Sequence, residues 1–474
     1  MRFTDFNFKK DLQKAIDEAG FKEPSPVQKE AIPLILEGRD LVAQAHTGTG
    51  KTAAFALPVL NNLKLDGTTE ALVIVPTREL ATQVSDEIFR FGKHLGIKTA
   101  TIYGGSSYER QIKHLKSAAV AIATPGRLID LLSSGKIKLN PSFVVLDEAD
   151  EMLDMGFLDD IKKIFGFLKN EKRQTLMFSA TMPKPIKALA NTILNNPATV
   201  SITKSDVTNK NITQNFYVVK EFERDDALIR LIDFTNPTKA IVFARTRKEV
   251  DRIAMLLASK GYIANGLHGD MSQREREEVI KAFKKDNLEI LVATDVAARG
   301  LDVSNVSHVI NYHLPFDSES YVHRIGRTGR AGKEGMAISI VTPNEFNALK
   351  KIQSNVGSNL EAKVIPTISD VAMKQKDILL EEIKKQTINK AAQKLVEELN
   401  KELEPKEVAL KLASLLVAEN DVEGSDKIGL KLSEIEELLK KAKSDKGNSR
   451  SRNRRRNSGN REKNRSRNRN SRRR

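Results

Sequence analysis

Two tandem α/β domains, each a doubly wound parallel sheet, are what this 474-residue sequence predicts, followed by a small helical region and a disordered basic tail. Three observations carry the prediction. Short apolar runs alternate with helix-period segments, the pattern of parallel strands covered by helices on both faces. The runs fall into two sets of about 150 residues, each the size of one domain. Beyond about residue 360 the strand-like runs stop and only spacings of three and four remain.

The first set reads DLVAQA, ALVIVP, AVAIATP, FVVLDEAD and TLMFSAT, and the second KAIVFAR, IANGLHG, EILVATD, HVINYHLP and GMAISIV. The polar segment Lys204–Gln214 lies between them. The expected division is a first domain at 1–205, a linker at 206–215, a second domain at 216–360, a helical region at 361–442 and a tail at 443–474. In the helical region Ile388, Ala392, Leu395, Leu399 and Leu403 share one face. Pro405 opens a second segment with Val408, Leu412, Leu415 and Leu416, and Ile428, Leu432, Ile435 and Leu439 mark a third. Helices this short need a partner surface. Packing among themselves, packing on the second domain and homodimerisation all satisfy that need, and periodicity does not choose between them.

Charge is unevenly spread. Lys446–Arg474 holds 12 Arg and 2 Lys against Glu462 alone, so 13 of the net +16 charges sit there. Such a segment has no apolar residues with which to build a core, and its natural partner is a polyanion, RNA first. A solvated, solubilising tail is the plainer alternative. Cysteine is absent, which excludes disulfides and thiolate metal sites and suits a reducing compartment. The N-terminus lacks the apolar core of a signal peptide, and no run is long enough to span a membrane. A cytoplasmic protein is expected.

The segment AQAHTGTGKT, Ala43–Thr52, follows an apolar run and precedes a helical pattern. Strand, Gly-containing loop, Lys-Thr and helix is the arrangement that a nucleoside triphosphate requires. Ala45, His46, Thr47, Gly48, Thr49 and Gly50 would wrap the phosphates, with the helix N-terminus adding a positive dipole end. Lys51 would reach the β- and γ-phosphates, and the Thr52 hydroxyl would ligate Mg²⁺. Ala45 stands where the general pattern has Gly. Asp147 and Glu148 then close the run FVVL at the edge of the same sheet, where ligands collect. Asp147 can hold Mg²⁺ through water. Glu148 is placed to orient and deprotonate the attacking water as general base. A helix start decorated with acids is the alternative, and the phosphate loop argues against it.

Asp-Glu-Ala-Asp after a strand, together with this loop, resembles the DEAD-box RNA helicases of helicase superfamily 2, over roughly residues 1–360. The resemblance implies two RecA-like domains, with ATP and Mg²⁺ as cofactors and RNA as partner. GFKEPSPVQ (Gly20–Gln28) is similar to the family's adenine-sensing segment. The Gln28 amide can both donate and accept, and Phe21 would stack on the base. Phe3 matches an isolated upstream aromatic, although plain core is an equal reading. PTREL (Pro76, Thr77 and Arg78 onward), YGG (Tyr103–Gly105) and TPGR (Thr124–Arg127) resemble the motifs that grip RNA. Gly105 and Gly126 would admit the backbone, while Arg78 and Arg127 offer forked donors to phosphate. SAT (Ser179–Thr181) resembles the motif that ties hydrolysis to strand opening through Asp150.

The second set continues the series. VFARTR and QRER resemble motif IV, with Arg245 a candidate RNA contact. ATDVAARGLD and HRIGRTGR resemble motifs V and VI. The resemblance assigns Thr294 to RNA, Asp302 to the ribose and His323 to coupling, with Arg327 and Arg330 as arginine fingers on the γ-phosphate. Half of the catalytic site would then lie on each domain, so hydrolysis should require closure. More faintly, residues 376–440 resemble the dimerisation region of bacterial cold-shock-type members. Local unwinding of RNA duplexes and of RNA–protein complexes is the expected activity, in ribosome assembly, mRNA decay or cold adaptation. Ribosomal precursors or RNA-decay enzymes would then be partners. An ATP-gated RNA clamp that recruits other proteins is the rival reading, and a DNA-directed helicase of the same superfamily is another.

Overall fold

Both faces of the central strands are buried, which is why Val, Ile, Leu and Ala dominate them. The computed structural model describes residues 1–45, 48–202, 211–298, 301, 303, 305–329, 333–356, 360–418 and 425–440. Strands β1 (Leu41–Gln44), β2 (Ala71–Ile74), β3 (Thr99–Ile102), β4 (Val120–Ala123), β5 (Phe143–Leu146), β6 (Gln174–Ser179) and β7 (Ala198–Ser201) form one sheet in the order β3-β4-β2-β5-β6-β1-β7. Strands β8 (Ile212–Val218), β9 (Ala240–Phe243), β10 (Ala264–Leu267), β11 (Ile290–Ala293), β12 (His308–Asn311), β13 (Gly335–Val341) and β14 (Glu361–Lys363) form a second, in the order β10-β11-β9-β12-β13-β8-β14. Every pairing is parallel, with helices returning over the sheet faces. Along β6, Leu176 and Phe178 face one core and Met177 the other, as the twofold period of a strand dictates.

Four strands lie outside the apolar runs. Edge strands β3 and β7 alternate buried with partly or fully exposed residues, because one side of each meets solvent. β14 is an exposed edge, and β8 begins in the polar ITQN. Since β8 starts at Ile212, the last four residues of the expected linker belong to the second sheet, and 203–210 lie outside the described residues. β14 likewise carries the second sheet to residue 363, past the expected boundary at 360.

The helical region divides in two. The helix Ile368–Lys385 buries Val371 against the helix Arg224–Thr235, and the chain returns to the second domain at 425–440. There Ile428 and Ile435 enter its cores, and the Leu430 N–H donates to the Val218 carbonyl at 2.8 Å. The buried Arg230 holds this return by donating to the Pro366 (3.1 Å) and Ser425 (2.9 Å) carbonyls. The third periodic segment therefore packs on its own domain. Between these anchors the helices Lys390–Leu399 and Pro405–Ala418 leave Leu395, Leu410 and Leu415 more than half exposed, although Val408 is buried. The expected tail, 443–474, lies outside the described residues.

One buried ion cluster ties the second domain together. Arg224, 1% exposed, donates to the Tyr312 carbonyl (2.5 Å), the Ile340 carbonyl (3.0 Å) and Glu345 (2.5 Å), joining β12 and β13 to the helix at 224. Burial alone would raise the Glu345 carboxyl. Hydrogen bonding to His313 and the Arg224 charge instead hold it down at about 2. A depressed carboxyl adds stability above its unfolded value and loses it as pH falls through the folded one. Stability of this domain should therefore decline from about pH 4.5 downward. Arg224→Ala, which strands a buried carboxylate, should cost about 3–5 kcal/mol. Urea unfolding of the parent and the variant at pH 7 measures the cost, and a difference below about 1 kcal/mol would contradict this role.

Candidate nucleotide and RNA site

The strand order of the first sheet sorts the candidate residues into two neighbouring groups. Pro76–Arg78, Gly105 and Thr124–Arg127 follow β2, β3 and β4, which are adjacent. The phosphate loop, the acids and Ser179–Thr181 follow or end β1, β5 and β6, adjacent in turn. All emerge at the C-terminal ends of parallel strands, the usual ligand edge of such sheets.

Lys51 begins the helix Lys51–Asn62, with Gly50 at its N-cap in the left-handed region (φ 87°). A Cβ on Gly50 would also stand 2.4 Å from Gln28 Nε2, so glycine is doubly required there. Ala45 needs no such freedom: its methyl is buried in the core and its N–H donates to the Ser179 carbonyl at 3.0 Å. The Lys51 ammonium is 6% exposed and has no hydrogen-bond partner among the described residues. A buried, unpaired ammonium at a helix N-terminus fits a phosphate. Thr52 follows it, half-buried, and His46 and Thr47 lie outside the described residues.

Gln28 makes two contacts of its own. Its Oε1 accepts from the Ser25 N–H (2.9 Å) and its Nε2 donates to the Gly50 carbonyl (3.0 Å), bracing the phosphate loop against the next helix. One donor hydrogen and one acceptor lone pair remain for a base. Phe21 is half-buried, with its ring 5.7 Å from Phe3 and 5.8 Å from Phe91. Phe3, at 2% exposure, is core.

Four buried carboxylates crowd the end of β5: Asp147, Glu148, Asp150 and Glu151, none more than 9% exposed. Glu148 adopts a left-handed backbone (φ 54°, ψ 52°), a strained conformation for a side chain of its size. Burial raises Asp147 above the ordinary carboxyl range, Glu148 and Asp150 add to this, and Lys51 opposes it. Asp150 goes the other way. Burial would raise it, but Lys51, His323 and hydrogen bonds from the SAT segment bring it down. Thr181 donates to Asp150 through N–H (2.8 Å) and Oγ1 (3.0 Å), and Ser179 Oγ accepts from the Asp150 N–H (3.2 Å).

Among the described residues, polar contacts bridge the two domains: His323 Nδ1 lies 2.6 Å from Glu151, Arg276 Nη2 is 2.7 Å from Glu79, and Arg78 Nη1 donates to Gln273 at 2.9 Å. Beside the last two is a cavity of about 970 Å³ between the helices Arg78–Gly92 and Gln273–Lys284. The roles of Glu151, Glu79 and Arg276 were not visible in the sequence, because each partner lies more than 170 residues away. Arg324 was missed too: it is 3% exposed and holds Asp295 at 2.5 and 2.8 Å, Asn311 at 3.0 Å and the His313 carbonyl at 2.7 Å. Its signal was its place inside HRIGRTGR. Arg327 donates to the Leu301 carbonyl (2.9 Å) within its own domain, so the expected reach across the cleft is not made in this arrangement. Arg330 and Asp302 lie outside the described residues.

On the other half of the edge, Thr77 caps the helix that begins at Arg78 by accepting from the Leu80 N–H (3.2 Å), Thr124 precedes the helix that begins at Pro125 without a side-chain capping bond among the described residues, and Pro76 is buried. The Arg78 guanidinium lies so close over the paired glycines that a Cβ at Gly105 (φ +84°) would meet its Nη1 at 2.5 Å. Arg127 stacks on Tyr108 at 3.9 Å and donates to the Ser106 carbonyl at 2.8 Å, while Gly126 faces open space. In the second domain Thr294 Oγ1 accepts from the Ala297 N–H (3.4 Å). Arg245 pairs with Glu345 at 2.7 Å, so part of its charge is already committed.

The His323–Glu151 bridge makes domain contact pH-dependent. Burial would lower the imidazole, but the Glu151 hydrogen bond and the charges of Glu151, Asp150 and Glu148 raise it above 6.5. A histidine raised in the closed arrangement favours closure at low pH, and that contribution fades as pH rises through the raised value. Interdomain energy transfer between dyes on the two domains should therefore fall as pH climbs above 6.5, and His323→Gln should flatten the profile. An unchanged profile in the variant would rule the bridge out as the cause.

Residues 25–189 match the DEAD/DEAH box helicase family and residues 223–332 the helicase conserved C-terminal domain. The DEAD-box ATP-dependent RNA helicase RhpA of Helicobacter pylori is 52% identical over 438 residues, covering 92% of this chain and 86% of that one. CshA of Bacillus subtilis is 46% identical over 385 residues, 81% of this chain and 78% of that one. Dbp5 of S. cerevisiae bound to RNA and ADP BeF3 matches at 33% identity and a TM-score of 0.72, over 81% of this chain and 99% of that one. A variant of Dbp5 bound to Nup159, Gle1, IP6 and ADP matches at 33% identity and only 0.56, over 78% and 99%. Matched in order by both domain families, and over 92% of its length by a relative 52% identical to it, the chain belongs to the DEAD-box ATP-dependent RNA helicases.

Proposed function

We propose that hydrolysis is divided between the domains as the residues at the cleft suggest, and that the enzyme separates RNA strands locally. The buried, unpaired Lys51 beside four carboxylates carries this reading. Lys51 would hold the terminal phosphates, and Asp147 with Thr52 would hold Mg²⁺, which supplies positive charge to the phosphate oxygens. One or two carboxylates plus phosphate and water is the donor set that this ion prefers. Glu148, fixed at the strained turn, orients the attacking water and accepts its proton. Arg327 and Arg330 would complete the site as closure tightens, each turning toward the γ-phosphate. Thr181 reports the state of Asp150, while Arg78, Arg127 and Thr294 take backbone phosphate without reading sequence. ATP and RNA each bridge the cleft, so each strengthens binding of the other by the same factor.

Glu148→Gln should remove turnover, by about two orders of magnitude or more, and keep ATP-dependent RNA binding. Steady-state ATPase and filter binding on the same variant check this; normal turnover would overturn the assignment. Measuring strand release beside ATPase on the parent separates an unwinding enzyme from a clamp, since the clamp turns over without releasing strands.

We further propose a cytoplasmic protein that acts on ribosomal precursors or decaying mRNA, with the Arg-rich C-terminal sequence adding phosphate affinity. The exposed leucines of 390–418 support a homodimer. Light scattering should give twice the chain mass for the parent and one chain mass for the double variant Leu395→Glu, Leu415→Glu. A monomeric parent would sink the dimer.

A further inference from the structure

Several arginines of the second domain are held by carboxylates, whereas Arg78 bonds to the Gln273 amide and Arg327 to the Leu301 carbonyl. Arg224 and Arg245 are paired with Glu345, Arg276 with Glu79 and Arg324 with Asp295. Arg127 has no carboxylate partner among the described residues. Its guanidinium lies over the Tyr108 ring at 3.9 Å and donates to the Ser106 carbonyl at 2.8 Å. The Lys136 ammonium shares the same ring at 4.7 Å. Tyr108 itself begins the helix Tyr108–Leu115, three residues beyond Gly105, and is exposed. An aromatic face attracts a cation through its quadrupole and takes none of its charge. A carboxylate would fix the guanidinium equally well, but would compete with a phosphate for it.

We infer that Tyr108 is a positioning residue for RNA binding: its ring fixes Arg127, and gathers Lys136 beside it, with both charges left available to RNA phosphates. The inference rests on the reading of Arg127 as a phosphate contact. A second reason favours position 108. Ser106, which anchors the other side of the guanidinium, and the Gly104–Gly105 pair packed on Arg78 belong to the same short loop. One loop therefore sets two arginines that emerge from different strands, Arg78 after β2 and Arg127 after β4.

The test uses the full chain, a single-stranded RNA oligonucleotide and a non-hydrolysable ATP analogue. Tyr108→Ala should weaken RNA binding about three- to tenfold. It should also reduce the slope of log affinity against log salt by up to about 0.7, the share of one single-strand phosphate contact. In ATPase assays the RNA concentration for half-maximal stimulation should rise in step, with kcat at saturating RNA much less affected. Tyr108→Phe keeps the ring and should restore both affinity and slope, which a loss of mere helix stability would not allow. In an Arg127→Gln background Tyr108→Ala should add little, because its effect passes through Arg127. Full additivity of the two substitutions would overturn the positioning role, as would a Tyr108→Ala variant that binds RNA like the parent while Arg127→Gln binds weakly. If Arg127→Gln itself binds like the parent, the phosphate reading of Arg127 fails, and the role of Tyr108 falls with it.

Discussion

Four carboxylates in five residues, all buried at the end of one strand, cannot be left to repel each other, and much of the molecule is arranged around dividing them. Lys51 lies near Asp147 and Asp150 without bonding to either. Thr181 and Ser179 take Asp150 by hydrogen bonds, and Glu151 is given to His323 of the other domain. Each acid thus answers to a different element. A change at one is felt by the rest through charge, since an opposite or like charge within a few ångströms shifts a buried carboxyl strongly. Glu148 adds backbone strain at the same place, in its left-handed conformation.

The bridges between the domains are few and polar, and a cavity separates them. A large apolar interface would fix the domains as one body. Polar contacts such as the Arg276–Glu79 pair and the Arg78–Gln273 bond can instead be made and broken, which suits the closure proposed above. Within each domain the logic is reversed. The Arg224–Glu345 cluster is buried, multiply hydrogen-bonded and expensive to break, so the second domain moves as a unit.

How much of this was legible in the sequence depends on distance along the chain. Contiguous motifs such as AQAHTGTGKT, FVVLDEAD and SAT were readable because a strand and the loop after it lie side by side in sequence. Five runs in each domain were readable as strands because burial keeps most of their residues apolar. β3, β7, β8 and β14 were not, because edges and polar starts look like loops to a hydropathy pattern. Glu151 was the clearest miss in the site. It directly follows the acidic run and reads as one more helix-start acid, and only the fold brings His323 to it. The return of Ile428 and Ile435 to the second domain was similarly hidden, since helical spacing shows that a face is apolar and is silent on what covers it.

The strand order gives these pieces their mechanical sense. β2 and β5 are hydrogen-bonded neighbours at the middle of the first sheet, so the segment that carries Arg78 and the segment that carries Asp147 leave the sheet side by side. The half of the edge proposed for RNA and the half proposed for nucleotide meet at that pair. Each half also sends one charged bridge to the second domain, Glu79 to Arg276 from the first and Glu151 to His323 from the second. Closure that forms one bridge brings the other within reach, because the parallel sheet between them is hydrogen-bonded throughout and buried on both faces. On the proposed assignment, coupling between RNA and nucleotide needs no chain of moving side chains through the core, since both ligands and the bridges beside them would lie on the same rigid edge.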